Sequence, residues 1–179
     1  RIAFETAMIQ LGGHPIYMST QDTQISRNEP AKDTARVLSR YIDCLAMRTF
    51  DHELVETFAQ SSTIPVINAL TDSFHPCQIL SDLMTIIEHK GGYERVKIAW
   101  VGDGNNVANS WVNAASVLGF DLVLACPDGH SVRQDIITNS GADTLANIQF
   151  TNDPREAVKN ADVVYTDVWA SMGEEAELE

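Results

Sequence analysis

Residues 96–126 read VKIAWVGDGNNVANSWVNAASVLGFDLVLAC. Val96–Val101 is short, apolar and closed by Gly102-Asp103-Gly104, the pattern of a buried strand running into a turn. From Asn106 the apolar positions change to helical spacing, with Val107, Trp111, Ala114, Ala115 and Leu118 along one stripe. Gly119 stops that helix. Asp121–Cys126 then reads as a second buried strand. Strand, helix and strand in close succession make a parallel β-α-β unit, with the helix packed across the sheet.

The same alternation extends both ways. Upstream, residues 2–11 predict a helix ended by Gly12-Gly13, His14–Met18 a short strand, and Thr20–Asn28 a polar loop. Pro30–Arg40 follows as a helix, 41–47 as a strand, Asp51–Gln60 as a helix and Ile64–Leu70 as a strand. Pro76 opens a helix whose Ile79, Leu80, Leu83, Met84, Ile86 and Ile87 form a wide apolar face. Downstream, the pattern predicts a helix over Val132–Asn139, a strand at Ile148–Phe150, a helix from Asp153-Pro154 and a strand over Asp162–Val168. Gly91-Gly92 is the best boundary between lobes, dividing the chain into 1–90 and 91–179. The expected fold is α/β, two lobes, each a parallel sheet with helices on both faces.

Composition narrows the function classes. The 179 residues are 44% apolar and 21% charged, within the globular range. Twelve Lys and Arg against 25 Asp and Glu give a net charge of −13, which argues against a nucleic-acid partner. The longest apolar run, Leu122–Cys126, is far too short for a membrane span. Cys44, Cys77 and Cys126 are an odd number in apolar settings with neither disulfide nor zinc spacing, so no metal is expected and a cytoplasmic location is favoured. The chain opens on Arg1 inside a helix-like pattern and closes on an acidic stretch, from which truncation at both ends is expected.

In a doubly wound sheet, ligands lie beyond the carboxyl ends of the strands. The candidate residues follow from that rule. Arg48 follows strand 41–47 and is either an anion ligand or a salt-bridge partner. His75 and Gln78 stand at the start of the helix opened by Pro76, where free N–H groups and the helix dipole favour an anion; His75 is either part of that site or simply a cap. Asn106 follows the central strand, beside two of the three glycines of a dinucleotide fingerprint, with Val107 in the third place; a nucleotide site is weakly supported. Asp167, followed by Ser171 and Met172, offers a carboxylate suited to an ammonium group, or else caps a following helix. An anion half-site facing an amine half-site is a transferase arrangement, and no nucleophile with a His partner is visible.

Several of these segments resemble the aspartate/ornithine carbamoyltransferases, and the ornithine enzymes in particular. They are Asp33-Thr34-Ala35-Arg36-Val37-Leu38-Ser39-Arg40, Phe74-His75-Pro76-Cys77-Gln78, Trp100-Val101-Gly102-Asp103-Gly104-Asn105-Asn106 and Asp167-Val168-Trp169-Ala170-Ser171-Met172-Gly173. The resemblance implies a carbamoyl phosphate lobe and an ornithine lobe in a homotrimer or a multiple of trimers, working without a cofactor. It implies that Arg48, His75 and Gln78 bind carbamoyl phosphate, with Arg48 and His75 catalytic, and that Gln24 reaches a neighbouring subunit's site. It also implies that Asn106, Asp167, Ser171 and Met172 hold ornithine. The family's Ser-Thr-Arg-Thr loop and later His-Cys-Leu-Pro segment do not occur in these 179 residues. A relative that carbamoylates another amine, such as putrescine, is the nearest alternative, and Ser171-Met172-Gly173 argues against it. A non-catalytic chain that only binds ligand or assembles is the alternative from another class.

Overall fold

The structure, a computed structural model, describes residues 1–19 and 29–168. Its second lobe is a parallel sheet of β3 (Lys97–Val101), β4 (Asp121–Ala125), β5 (Ile148–Thr151) and β6 (Val163–Tyr165), in the order β5-β4-β3-β6. The chain builds outward from β3 through β4 to β5, then returns to β6 on the other side of β3. The order therefore reverses at β3, and the crevice beyond its carboxyl end is the place such a sheet offers a ligand.

Strand periodicity decides what each face buries. Ile98 and Trp100 of β3, with Leu122 and Leu124 of β4, point to helix α5 (Asn106–Leu118) and pack on Trp111, Val112 and Ala115. Their neighbours Ala99, Val123 and Ala125 point the other way, against Ala157 of the single-turn helix α7 (Pro154–Ala157). Side chains on that second face are small, so the short helix can lie close. Trp111 meets Phe120 and Tyr165 edge-on at 5.8 and 5.7 Å between ring centroids, and Trp100 stacks on Tyr165 at 5.4 Å. Helix α6 (Gln134–Ser140) adds Ile136 to the same core.

The first lobe contains α1 (Ile2–Gln10), α2 (Ala31–Leu38), β1 (Leu45–Arg48), α3 (His52–Ser61) and β2 (Val66–Leu70), and α4 (Pro76–Lys90) follows, with its buried Ile79, Leu83 and Ile86 packed into the core of the second lobe. β1 and β2 pair in parallel, with a register shift between Met47 and Arg48. Leu45 and Met47 are half-buried while Ala46 and Arg48 are exposed, so one side of β1 is covered among the described residues. Asp51 caps α3 by accepting a hydrogen bond from Glu53 N–H, and Val55 and Phe58 bury the inner face of that helix.

Four expectations shift. His14–Met18 pairs with no strand among the described residues, and Ile16 and Tyr17 are 66% and 58% exposed; without a ladder partner an apolar run does not make a strand. The strand placed at 41–47 is instead Leu45–Arg48, because Tyr41 and Ile42 still bond back to Leu38 in the turn that closes α2. The strand placed at 162–168 is only Val163–Tyr165, the stretch that pairs with β3. On α4 only Ile79, Leu83 and Ile86 are buried, whereas Leu80, Met84 and Ile87 face outward.

Because Trp111 is fully buried at the centre of the larger core, Trp111→Ala is expected to lower stability by about 3–5 kcal/mol. The control Val117→Ala, at a residue 83% exposed on the same helix, is expected to stay within about 0.5 kcal/mol. Urea unfolding of the two variants beside the parent chain checks both values.

Candidate active site

The segment Thr71-Asp72-Ser73-Phe74-His75 carries the chain from β2 into α4. Thr71 is fully buried and organises it. Its hydroxyl oxygen accepts from Phe74 N–H at 3.1 Å, and it lies 3.1 Å from His52 Nδ1 on α3. Its own N–H donates to Phe74 O at 2.8 Å. A buried backbone loop needs such partners, because each unmade bond there carries its full desolvation cost.

Helix α5 of the other lobe supplies the rest. Asn106 Nδ2 donates to Thr71 O at 2.7 Å, and Asn109 Nδ2 donates to Ser73 O at 3.0 Å. His75 N–H donates to Ser110 Oγ at 2.7 Å, whose hydroxyl in turn donates to Asn106 O at 2.7 Å. Asn106, Asn109 and Ser110 stand three and four residues apart, so they share one face of the helix. The two lobes are thus joined at the loop that presents His75.

His75 occupies the cap position of α4, with Pro76 next, but its side chain makes no capping bond. The bland reading of His75 as a helix cap therefore does not hold. Its Nδ1 is buried without a hydrogen-bond partner among the described residues. Burial pushes the imidazole pKa below its usual value, the positive charge of Arg48 pushes it the same way, and Asp82 and Asp167 oppose both. The shift favours the neutral imidazole, which offers one N–H donor and one ring-nitrogen acceptor. Its perturbers come from β1, α4 and the segment after β6, so three separate elements converge on it.

The α4 N-terminus offers fewer amides than the sequence suggests. Pro76 has no N–H, His75 N–H is given to Ser110, and Gln78 N–H bonds His75 O. Arg48, the last residue of β1, is exposed at the carboxyl end of the sheet. Gln78 Nε2 donates to Asp82 Oδ1 at 2.9 Å. A carboxylate cannot donate, so this bond fixes the amide orientation and turns Gln78 Oε1 away from Asp82, and the Tyr165 phenol also hydrogen-bonds the Gln78 side chain. Cys77 Sγ lies 3.4 Å from Asn68 O, and burial raises its thiol pKa; it is a packing residue.

In the second lobe Asp167 lies two residues beyond β6, beside the carboxyl end of β3. Asn105 Nδ2 donates to Asp167 Oδ2 at 2.9 Å, and Val168 N–H donates to Asp167 Oδ1 at 2.8 Å. Asn106 is buried at the lobe boundary. Gly104 packs a loop: a Cβ there would strike the backbone of Ser131 and Val132, and its N–H donates to His130 O at 2.7 Å. That close approach gives Gly104 a structural purpose. Arg48, His75, Gln78, Asn106 and Asp167 all fall in the region where the lobes meet. Gln24, Ser171 and Met172 lie outside the described residues. Reading the sequence missed Thr71, Asp82, Asn105, Asn109 and Ser110; of these only Asn105, an Asn immediately before a helical stripe, carried a local signal. Among the described residues no cluster of three or more His, Cys, Asp or Glu could hold a metal.

Residues 1–88 match the family model for the carbamoyl-P binding domain of aspartate/ornithine carbamoyltransferase, and residues 94–179 match its Asp/Orn binding domain. The chain belongs to the aspartate/ornithine carbamoyltransferase family. It is 55% identical over 177 residues to an ornithine carbamoyltransferase of Geobacter metallireducens, covering 99% of this chain and 58% of that protein. It is 56% identical over 179 residues to one from Syntrophus aciditrophicus, covering 100% of this chain and 59% of that one. Among solved structures, ornithine carbamoyltransferase from Pyrococcus furiosus superposes with a TM-score of 0.90 at 50% identity, covering 100% of this chain and 58% of that one. The anabolic enzyme of Campylobacter jejuni gives 0.90 at 44% identity, covering 99% and 60%. The chain thus spans somewhat over half the length of the relatives it matches.

Folded His75 holds its proton less tightly than a free imidazole of pKa 6.5. As pH falls below 6.5 the unfolded chain takes up this proton first, so the contribution of His75 is a loss of stability on acidification and nothing above that range. Between pH 7 and 5, His75→Gln is expected to lose less stability than the parent. Denaturant titrations at several pH values measure this, and identical slopes would contradict the shift.

Proposed function

We propose that these residues are the substrate-binding part of an ornithine carbamoyltransferase, which transfers the carbamoyl group of carbamoyl phosphate to the side-chain amine of L-ornithine, giving L-citrulline and phosphate. The observation that carries this reading is the match of residues 1–88 to a carbamoyl-P binding domain and of residues 94–179 to an Asp/Orn binding domain, with the buried Nδ1 of His75 unpartnered among the described residues. The names of the relatives support the choice of ornithine.

Residues 1–90 form the carbamoyl phosphate lobe and residues 91–179 the ornithine lobe. Arg48 and His75 donate hydrogen bonds to the carbamoyl oxygen and stabilise the negative charge that grows on it as the amine attacks. A neutral His75 serves this role without competing with Arg48 as a second cation. Gln78 Oε1, free of Asp82, accepts from the carbamoyl amino group. Asn106 and Asp167, with Ser171 and Met172, hold ornithine so that its uncharged side-chain amine points at the carbamoyl carbon. A C–N bond forms, the bond from that carbon to the phosphate oxygen breaks, phosphate leaves with the electron pair, and the amine nitrogen gives up a proton. No covalent enzyme intermediate is needed. Gln24 serves the site of a neighbouring subunit in a trimer. The same chemistry serves arginine synthesis and arginine breakdown, and three free cysteines support a cytoplasmic setting for it.

Asp167→Asn keeps size and removes charge. In the full-length enzyme carrying this segment, ornithine affinity is expected to fall by roughly 10- to 150-fold, the loss of one hydrogen bond to a charged group. Carbamoyl phosphate affinity is expected to change little. Calorimetric titration of each ligand checks this; loss of carbamoyl phosphate binding with ornithine affinity intact would place Asp167 in the wrong half-site.

A further inference from the structure

We infer that Asn105 is a positioning residue which sets the orientation of the Asp167 carboxylate at the ornithine half-site; this rests on the reading of Asp167 as an ornithine ligand. Nothing in the motif singles out Asn105 for such a part, and the capping geometry supplies the reason. Asn105 Oδ1 accepts from both Val107 N–H at 2.9 Å and Ala108 N–H at 3.1 Å, the first free amides of α5. Those two donors fix which end of the planar amide faces the helix. The other end, Nδ2, is thereby aimed outward, where it meets Asp167 Oδ2 at 2.9 Å. A flipped amide would lose all three bonds and set an oxygen against the carboxylate.

The second carboxylate oxygen, Oδ1, accepts from Val168 N–H. One bond to each oxygen fixes the plane of the carboxylate, and each oxygen keeps acceptor capacity for a cationic ligand. This arrangement lies where the strand order reverses at β3, so the carboxylate is held in the crevice the sheet provides. Helix α5 also holds His75 through Ser110. The groups proposed for the two substrates are therefore both referenced to one helix, and Asn105 is the link on the ornithine side.

The competing role for Asn105 is helix capping alone, and substitution can separate the two. In Asn105→Ser a hydroxyl still accepts from the α5 amides, since Ser caps about as well as Asn, but it is too short to reach Asp167. Asn105→Ala loses both functions. In the full-length enzyme, Asn105→Ser is expected to keep Tm near the parent value while ornithine KM rises roughly tenfold and carbamoyl phosphate KM stays within about twofold. Asn105→Ala is expected to show the same ornithine defect with a lower Tm. In an Asp167→Asn background, Asn105→Ser is expected to add little, as two residues acting through one contact must. If Asn105→Ser restores parental ornithine KM while Asn105→Ala does not, Asn105 is a cap only and the inference is overturned. If Asp167→Asn itself leaves ornithine KM unchanged, the reading of Asp167 as a ligand fails, and the inference with it.

Discussion

The polar face of α5 is the constraint on which the rest depends. Asn106, Asn109 and Ser110 bond the backbone of the 71–75 loop, and that loop fixes where α4 begins and where His75 stands. Each bond contributes only about 0.5–1.5 kcal/mol when made, yet leaves a buried group with a cost of about 1–3 kcal/mol when broken. Such bonds therefore specify an arrangement more than they stabilise it. Bulk stability comes from elsewhere, chiefly the Trp100, Trp111 and Phe120 core beneath the same helix. One face of α5 buries apolar surface in its own lobe while another reads the backbone of the neighbouring lobe.

Electrostatics at the boundary is local. The sequence carries a net charge of −13, yet His75 feels the positive charge of Arg48 at the end of β1 as well as the negative charges of Asp82 and Asp167, and burial lowers its pKa more than any of them. Tyr165, half-buried against the two tryptophans and close to Asp82, has its phenol pKa raised by burial and by the Asp82 charge.

Much of the fold was legible because strand and helix periods differ. The run from Val96 to Cys126 could scarcely be read otherwise, and the structure finds β3, α5 and β4 there. The misses share a cause: local pattern does not reveal pairing. His14–Met18 has strand composition but no strand neighbour to bond among the described residues. Residues 41–47 are apolar, but the turn after α2 consumes the first of them and moves Arg48 from the following loop onto the end of β1. At the site, His75, Gln78 and Asp167 were found because strand ends and helix starts can be located from sequence. Thr71, Asn109 and Ser110 act through contacts some 35 residues apart in the chain, and nothing local marks them.

The most direct measurement is a crystal structure of the full-length enzyme carrying this segment, bound to a non-hydrolysable phosphonate analogue of carbamoyl phosphate. The expected result is the carbamoyl oxygen within hydrogen-bond distance of both His75 and Arg48, the carbamoyl nitrogen facing Gln78 Oε1, and the bond from His75 N–H to Ser110 intact. An analogue seated in the second lobe and touching neither His75 nor Arg48 would contradict the division of the site between the two lobes.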